Sequence, residues 1–347
     1  MSRAAKILDK NFEVISGINK DGFDFYDAKN FDVYGMKSNN GEFYRMNPVD
    51  ARKISENVFE IASETAGGRV CFATDSPEIA ILVEFNKTAK LSSYPFSATM
   101  GFDIYSNERF VGVFVPPFDA VESYESVIKS PFDDGNMHEY TVNFPICSSV
   151  KQLLIGITRG SVITHGKHYK MEKPVVFYGS STTQGACASR PGNTYENIIS
   201  RALDCDYINL GFAGNALGEE DMARYISKLD MSAFVYDYDY NAPSAEHLER
   251  THGVMFRIIR EANPDVPIII MSAPKPYTKD EDLERERVIY NTYATALQKG
   301  DKNVYFLSGT EILQPVKDSS LTDNVHPGDV GFGAIADALI NVLKKVL

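Results

Sequence analysis

From Lys173 to the end of the chain, short apolar runs alternate with amphipathic stretches, and this alternation limits the possible folds more than any other feature. The runs at 175–178, 207–210, 233–237, 267–271 and 304–307 have strand length and no polar face, as expected of strands covered on both sides. Between the first two, Tyr195, Ile198, Ile199, Ala202 and Leu203 recur at helical spacing and predict a helix over 194–203. The same reading places helices at 219–229, 245–262, 281–298 and 331–346. Five strands joined by helical crossovers predict a three-layer α/β/α domain around a parallel, flavodoxin-like sheet.

The first half has a different rhythm. Short apolar or alternating runs at 69–73, 79–85, 101–105, 110–115, 139–144 and 153–157 are separated by Gly, Pro, Asn and Asp, and a less clear run at 21–27 opens the series. Strands at this spacing, without a long amphipathic helix, predict an all-β sandwich or jelly roll. The polar stretch 165–174, which ends in proline, divides the halves. The expected domains are therefore 1–168 and 169–347. A chain of 347 residues has room for two cores.

Lys and Arg number 35 against 47 Asp and Glu, a formal charge of −12, which argues against a nucleic-acid backbone or an anionic membrane surface as partner. Cys71, Cys147, Cys187 and Cys205 are widely spaced and form no CxxC pair, so free thiols in a reducing compartment are expected. The N-terminal MSRAAKILDKNFEVISG lacks the apolar core and small-residue cleavage site of a secretory leader. No apolar run reaches the roughly 20 residues of a membrane span. The cytoplasm is the expected location, and a homodimer is left open.

In an open parallel sheet, ligands bind beyond the carboxyl ends of the strands. Four such segments stand out. After the first strand comes Gly179-Ser180-Ser181-Thr182-Thr183-Gln184-Gly185, a turn that exposes a hydroxyl as it enters a helix. After the second comes Asn209-Leu210-Gly211-Phe212-Ala213-Gly214-Asn215, whose glycines allow a backbone N–H to face a ligand. After the third comes Asp237-Tyr238-Asp239-Tyr240-Asn241. Before the last helix stands Asp323-Asn324-Val325-His326, where an Asp three residues ahead of a His can fix its tautomer. Taken singly, the first two segments read better as a helix cap and a glycine turn.

Together the four segments resemble the SGNH (GDSL-like) hydrolase superfamily, whose blocks supply Ser, Gly, Asn and His in that order. The resemblance implies Ser181 as nucleophile, His326 as general base and Asp323 as its orienting carboxylate. It implies an oxyanion hole from the Ser181 and Gly214 N–H groups and the Asn241 amide. Two motifs depart from the family: its GDS reads Gly179-Ser180-Ser181, and its GxND reads Asp239-Tyr240-Asn241-Ala242. The second change, with Asp237, implies an altered pocket wall and makes Tyr240 and Asp239 candidate substrate contacts. Gly101-Phe102-Asp103-Ile104-Tyr105 resembles the GxDLY motif of the β-sandwich that precedes one bacterial branch of the superfamily. There a hydrogen bond bracing the sandwich is the expected role of Asp103 and Tyr105. Arg190, in the loop after the nucleophile, has three readings: contact with a substrate oxygen, pairing with a carboxylate of the first domain, or plain exposure in its loop, the last as well supported as the others.

An α/β-hydrolase is the competing serine-enzyme fold, but its GxSxG elbow does not match Gly179-Ser180-Ser181-Thr182-Thr183. His247 and His252 are five apart on a helix and poorly placed to share a metal; surface or packing roles are expected. His165 and His168 are expected to be solvated, and Cys187 to serve packing. No cofactor or metal is expected. The two-domain plan resembles carbohydrate esterases and implies deacetylation of a sugar, although the chain has no Trp to stack on one. An acyltransferase using the same acyl-enzyme, and a non-catalytic glycan-binding module, are the alternatives.

Overall fold

The structure is a computed structural model that describes residues 18–39, 41–132 and 134–347. The N-terminal stretch read as lacking a leader lies outside the described residues. The chain packs as two units. One holds the chain up to Phe43 with Ser63–His168 and Ser189–Gly192; the other holds Tyr44–Ala62, Tyr169–Ala188 and Asn193–Leu347.

Period-two alternation builds the first unit. Ile79, Ile81, Val83 and Phe85 from one sheet meet Val70, Phe72, Phe102, Ile104 and Val142 from another in a single buried core. The first sheet runs Phe23–Asp27, Ser149–Thr158, Glu78–Lys87, Ser123–Lys129, antiparallel throughout. The second runs Ile163–His165, Arg69–Thr74, His138–Asn143, Phe102–Ser106, Arg109–Phe114, also antiparallel, and Asp32–Tyr34 joins it on Arg69–Thr74.

The second unit is a five-stranded parallel sheet in the order Cys205–Gly211, Met171–Gly179, Ala233–Asp237, Ile268–Met271, Val304–Leu307. Its strands are apolar on both faces because both are covered. Val176 and Tyr178 pack with helices Glu220–Ile226, Ala245–Ala262 and Asp280–Gln298. Val175 and Phe177 pack with Tyr195–Leu203 and Asp329–Val346. The second strand in sequence lies on one side of the first and the third on the other. The crossovers therefore diverge and leave a crevice at the carboxyl ends of those strands. Among the described residues, no helix is long and apolar enough to cross a membrane.

Residues 44–62, assigned by sequence to the β-sandwich, pack in the second unit. Asn47 caps helix Pro48–Ile54 by accepting the Val49 N–H, and Pro48 suits the first helical turn. This helix and Glu56–Ala62 bring Met46, Ala51, Val58 and Ala62 into the core of Tyr178 and Phe212. The fully buried Arg45 anchors the segment. Its guanidinium donates to the carbonyl oxygen of Gly211, to that of Ile61 at 2.7 Å and to Asn209 Oδ1 at 3.3 Å.

Candidate active site

Ser181 opens the four-residue helix Ser181–Gln184 at the end of the first parallel strand. Ser180, not Ser181, is the cap: its side chain accepts the Thr182 N–H at 3.2 Å. The Ser181 hydroxyl is thus free of capping duty, and its Oγ lies 3.0 Å from His326 Nε2.

The loop before the last helix holds His326 from both sides. Thr322 donates its N–H to the His326 carbonyl at 2.9 Å, and Leu321 bridges to Pro327. Asp323 turns back as the spacing predicts. Its Oδ1 accepts the N–H groups of Val325 and His326 at 2.8 and 2.7 Å, and its Oδ2 meets His326 Nδ1 at 2.9 Å. Partial burial would raise the Asp323 carboxyl, but these hydrogen bonds overcome it and hold the group well below the usual carboxylate range. An ionised Asp323 fixes the tautomer with hydrogen on Nδ1, leaving Nε2 able to accept a proton from Ser181.

Gly214 has φ +70°, a left-handed conformation that glycine adopts without strain. Its N–H lies against the Asn241 amide at the end of the third strand. In the hydrogen-bond-satisfied orientation, the amide oxygen accepts from Gly214 at 3.2 Å and the nitrogen donates to the Phe212 carbonyl at 3.1 Å. Turned over, the amide nitrogen stands beside the Gly214 N–H as a second donor, and the oxygen accepts the Ala216 N–H at 3.4 Å. The structure therefore brings Ser181, Asp323 and His326 into one hydrogen-bonded chain and places Gly214 against Asn241.

Other readings need correction. Asp239, read as a candidate substrate contact, turns its carboxylate into the protein: it is buried, accepts the Ala273 N–H at 3.0 Å and is paired with Arg285 at 3.2 Å. Asp237 does not line a pocket wall either. It is buried and accepts from the Thr183 hydroxyl, and burial pushes its carboxyl up to about 8. Tyr240 is half-buried and donates to the Pro274 carbonyl at 2.9 Å, with the Val325 carbonyl 3.5 Å away, so its phenol faces the loop that carries His326.

For Arg190 the structure shows the pairing with a carboxylate of the first domain. The residue belongs to the first unit, where it pairs with the fully buried Asp103 at 3.0 Å, donates to the Tyr105 hydroxyl and covers the Phe110 ring at 4.0 Å. Gly192 donates its N–H to Asp103 at 2.8 Å, and a Cβ there would fall 2.5 Å from that carboxylate. The Gly101–Tyr105 motif thus grips the loop 189–192. His252 is buried in an aromatic stack with Tyr236 and Tyr238, and burial pushes its imidazole down to about 3. His247 bonds the Leu217 carbonyl at 2.7 Å, while His165 and His168 are exposed.

Sequence reasoning missed two features. Gln184 Oε1 accepts the Ala213 N–H at 3.0 Å, linking the Ser181 helix to the Gly214 loop. Cys187, read as packing, has its Sγ 3.7 Å from Asp323 Oδ2, a contact between residues 136 apart in sequence.

A family model for GDSL-like lipases and acylhydrolases matches residues 172–344, and one for the GxDLY N-terminus of SGNH-hydrolase-type esterases matches 21–163. The chain belongs to this family. Membership makes it an SGNH-type hydrolase, and its neighbours among solved structures share the fold across both units. A protein of Bacteroides ovatus described as a GDSL-like lipase is 24% identical, with a TM-score of 0.84 over 93% of this chain and 98% of its own. A salicylyl-acyltransferase from a tetracycline biosynthetic pathway is 18% identical, with a TM-score of 0.76 over 94% and 98%. A family two carbohydrate esterase from Clostridium thermocellum, in complex with cellohexaose, is 14% identical, with a TM-score of 0.62 over 81% and 93%. No curated protein sequence matches the chain.

Proposed function

We propose that this SGNH hydrolase is a serine esterase that transfers an acyl group, through a covalent Ser181 intermediate, to water. The hydrogen-bonded chain Ser181–His326–Asp323, at 3.0 and 2.9 Å, carries the reading. Ser181 attacks the ester carbonyl while His326 Nε2 takes its proton, and Asp323 stabilises the imidazolium that forms. The developing oxyanion receives the N–H groups of Ser181 and Gly214. An oxyanion also favours the Asn241 orientation that turns its amide nitrogen inward, because the anion then takes the place of the Phe212 carbonyl as that nitrogen's acceptor. His326 returns the proton to the leaving alcohol, and water repeats the sequence to release the acid.

The proposed substrate is an O-acetyl ester on a carbohydrate. The Clostridium thermocellum carbohydrate esterase bound to cellohexaose supports it, as does a two-unit plan shared across most of both chains. The salicylyl-acyltransferase favours a second reading, in which an alcohol rather than water intercepts the same intermediate. A glycan-binding module without catalysis has less support, because Ser181, His326 and Asp323 keep a working geometry.

Acetate release from a panel of acetylated oligosaccharides, run beside short- and long-chain nitrophenyl esters, tests the substrate. Release from the sugars with a preference for short chains is expected. Preference for long acyl chains would overturn the sugar assignment, and product on an added alcohol in place of free acid would favour the transferase.

A further inference from the structure

Cys187, Asp323 and His326 each offer one ligand atom, and these atoms all lie within 4.8 Å of one another. Among the described residues this is the one Cys/His/acid cluster with that geometry. We propose that it binds a thiophilic divalent cation, Zn²⁺ or Cd²⁺, and that the bound ion switches the esterase off reversibly. The proposal rests on the catalytic reading of Ser181, His326 and Asp323.

The donor set suits such an ion: a thiolate, a carboxylate and an imidazole are its preferred ligands. The distances suit it as well. Zinc bonds of about 2.3 Å to sulfur and about 2.0 Å to nitrogen or oxygen set tetrahedral donors roughly 3.3–3.5 Å apart. Cys187 Sγ stands 3.7 Å from Asp323 Oδ2, and that oxygen 2.9 Å from His326 Nδ1, so two of the three donor separations lie within a few tenths of an ångström of that spacing, and the third, within 4.8 Å, closes by rotation of the Cys187 and His326 side chains. Cys187 is also held in place. It is buried, and its backbone has φ +68°, a left-handed conformation unusual for a residue with a side chain. The Asp323 and His326 side chains keep 26% and 18% of their surface exposed, which gives the ion a way in.

Binding would undo the triad by relocating a proton. The Cys187 thiol loses its proton to solvent as the S–metal bond forms. The metal replaces the hydrogen on His326 Nδ1, and the neutral ring carries that hydrogen on Nε2 instead. Nε2 can then no longer accept the Ser181 proton, so turnover stops while Ser181 and the substrate crevice stay in place.

Zinc titration of nitrophenyl acetate hydrolysis, followed by EDTA, tests the activity arm in the wild type and in Cys187→Gly, each against its own metal-free rate. Glycine suits the left-handed backbone at this position, and Cys187→Ser provides a second variant. Cobalt titration followed in the near-ultraviolet reads the thiolate–metal charge-transfer band without any turnover. The expected result is inhibition that EDTA reverses, a half-inhibiting zinc concentration raised at least about tenfold in both variants, and a cobalt band present only in the wild type. Equal zinc sensitivity in wild type and variants, no inhibition by excess zinc, or a cobalt band that survives Cys187→Gly would each overturn the proposal. Full turnover by Ser181→Ala would instead remove the catalytic reading, and the cobalt band would still report the cation site.

Discussion

Gln184 accepts the Ala213 N–H on its side-chain oxygen at 3.0 Å, so the last residue of the Ser181 helix holds the loop that carries Gly214. This one bond sets the proposed nucleophile and a proposed oxyanion donor at a fixed spacing, though the two lie on different strands' ends. Gln184→Leu removes the acceptor and keeps much of the volume. We expect kcat for nitrophenyl acetate to fall roughly tenfold with KM little changed, less than the 10²–10³ typical of losing an oxyanion donor itself. An unchanged kcat would show that the Gly214 loop holds its place without Gln184.

Beneath the same helix lie two buried carboxyls. Among the described residues, Asp237 Oδ2 and Glu196 Oε2 have no hydrogen-bond partner, and burial raises both groups, Asp237 to about 8 and Glu196 well above its ordinary value. The folded state thus keeps protons that the unfolded chain releases above its ordinary carboxyl range, near 3.8 for Asp. The linked stability is fully present below that range and is lost as pH rises through about 8. Melting temperature should therefore decline from mildly acidic toward alkaline pH. Asp237→Asn should shallow the decline, and adding Glu196→Gln should shallow it further. A slope identical to the wild type in the double variant would contradict this.

Arg190 and Asp103 form an ion pair within the first unit, with Asp103 fully buried and a fifth of the Arg190 side chain exposed. Arg190→Met leaves a buried carboxyl without its cation. A loss of about 3 kcal/mol is expected, at the low end for a broken buried pair because Arg190 is partly solvated. Denaturant unfolding checks it; a loss under about 1 kcal/mol would place the pair among surface salt bridges.

The parallel sheet is legible in the sequence because its strands and helices obey their periods over long stretches: helix 245–262 and strands 233–237 and 304–307 have the same bounds in the sequence pattern and in the structure. The proposed triad is legible for a related reason. A parallel sheet puts its working residues directly after its strands, and Asp323 reaches His326 across three residues. What escapes the sequence depends on contacts distant along the chain. Residues 44–62 form two seven-residue helices, too short for a helical stripe to stand out, and Arg45 finds its partners at Asn209 and Gly211. Asp237 and Asp239 read as pocket residues because polar side chains at strand ends usually meet solvent. Here a Thr183 hydroxyl and the Arg285 guanidinium satisfy them inside the protein. Strand Ser123–Lys129 carries Ser and Glu among its apolar residues, which hides its period.

The central claim is that Ser181 is the nucleophile. A fluorophosphonate labels an activated serine irreversibly, and intact-mass and peptide mass spectrometry locate the adduct. One adduct per chain on Ser181 is predicted, absent in Ser181→Ala and strongly slowed in His326→Ala. No adduct on the folded wild type, or an adduct that persists in Ser181→Ala, would contradict the account.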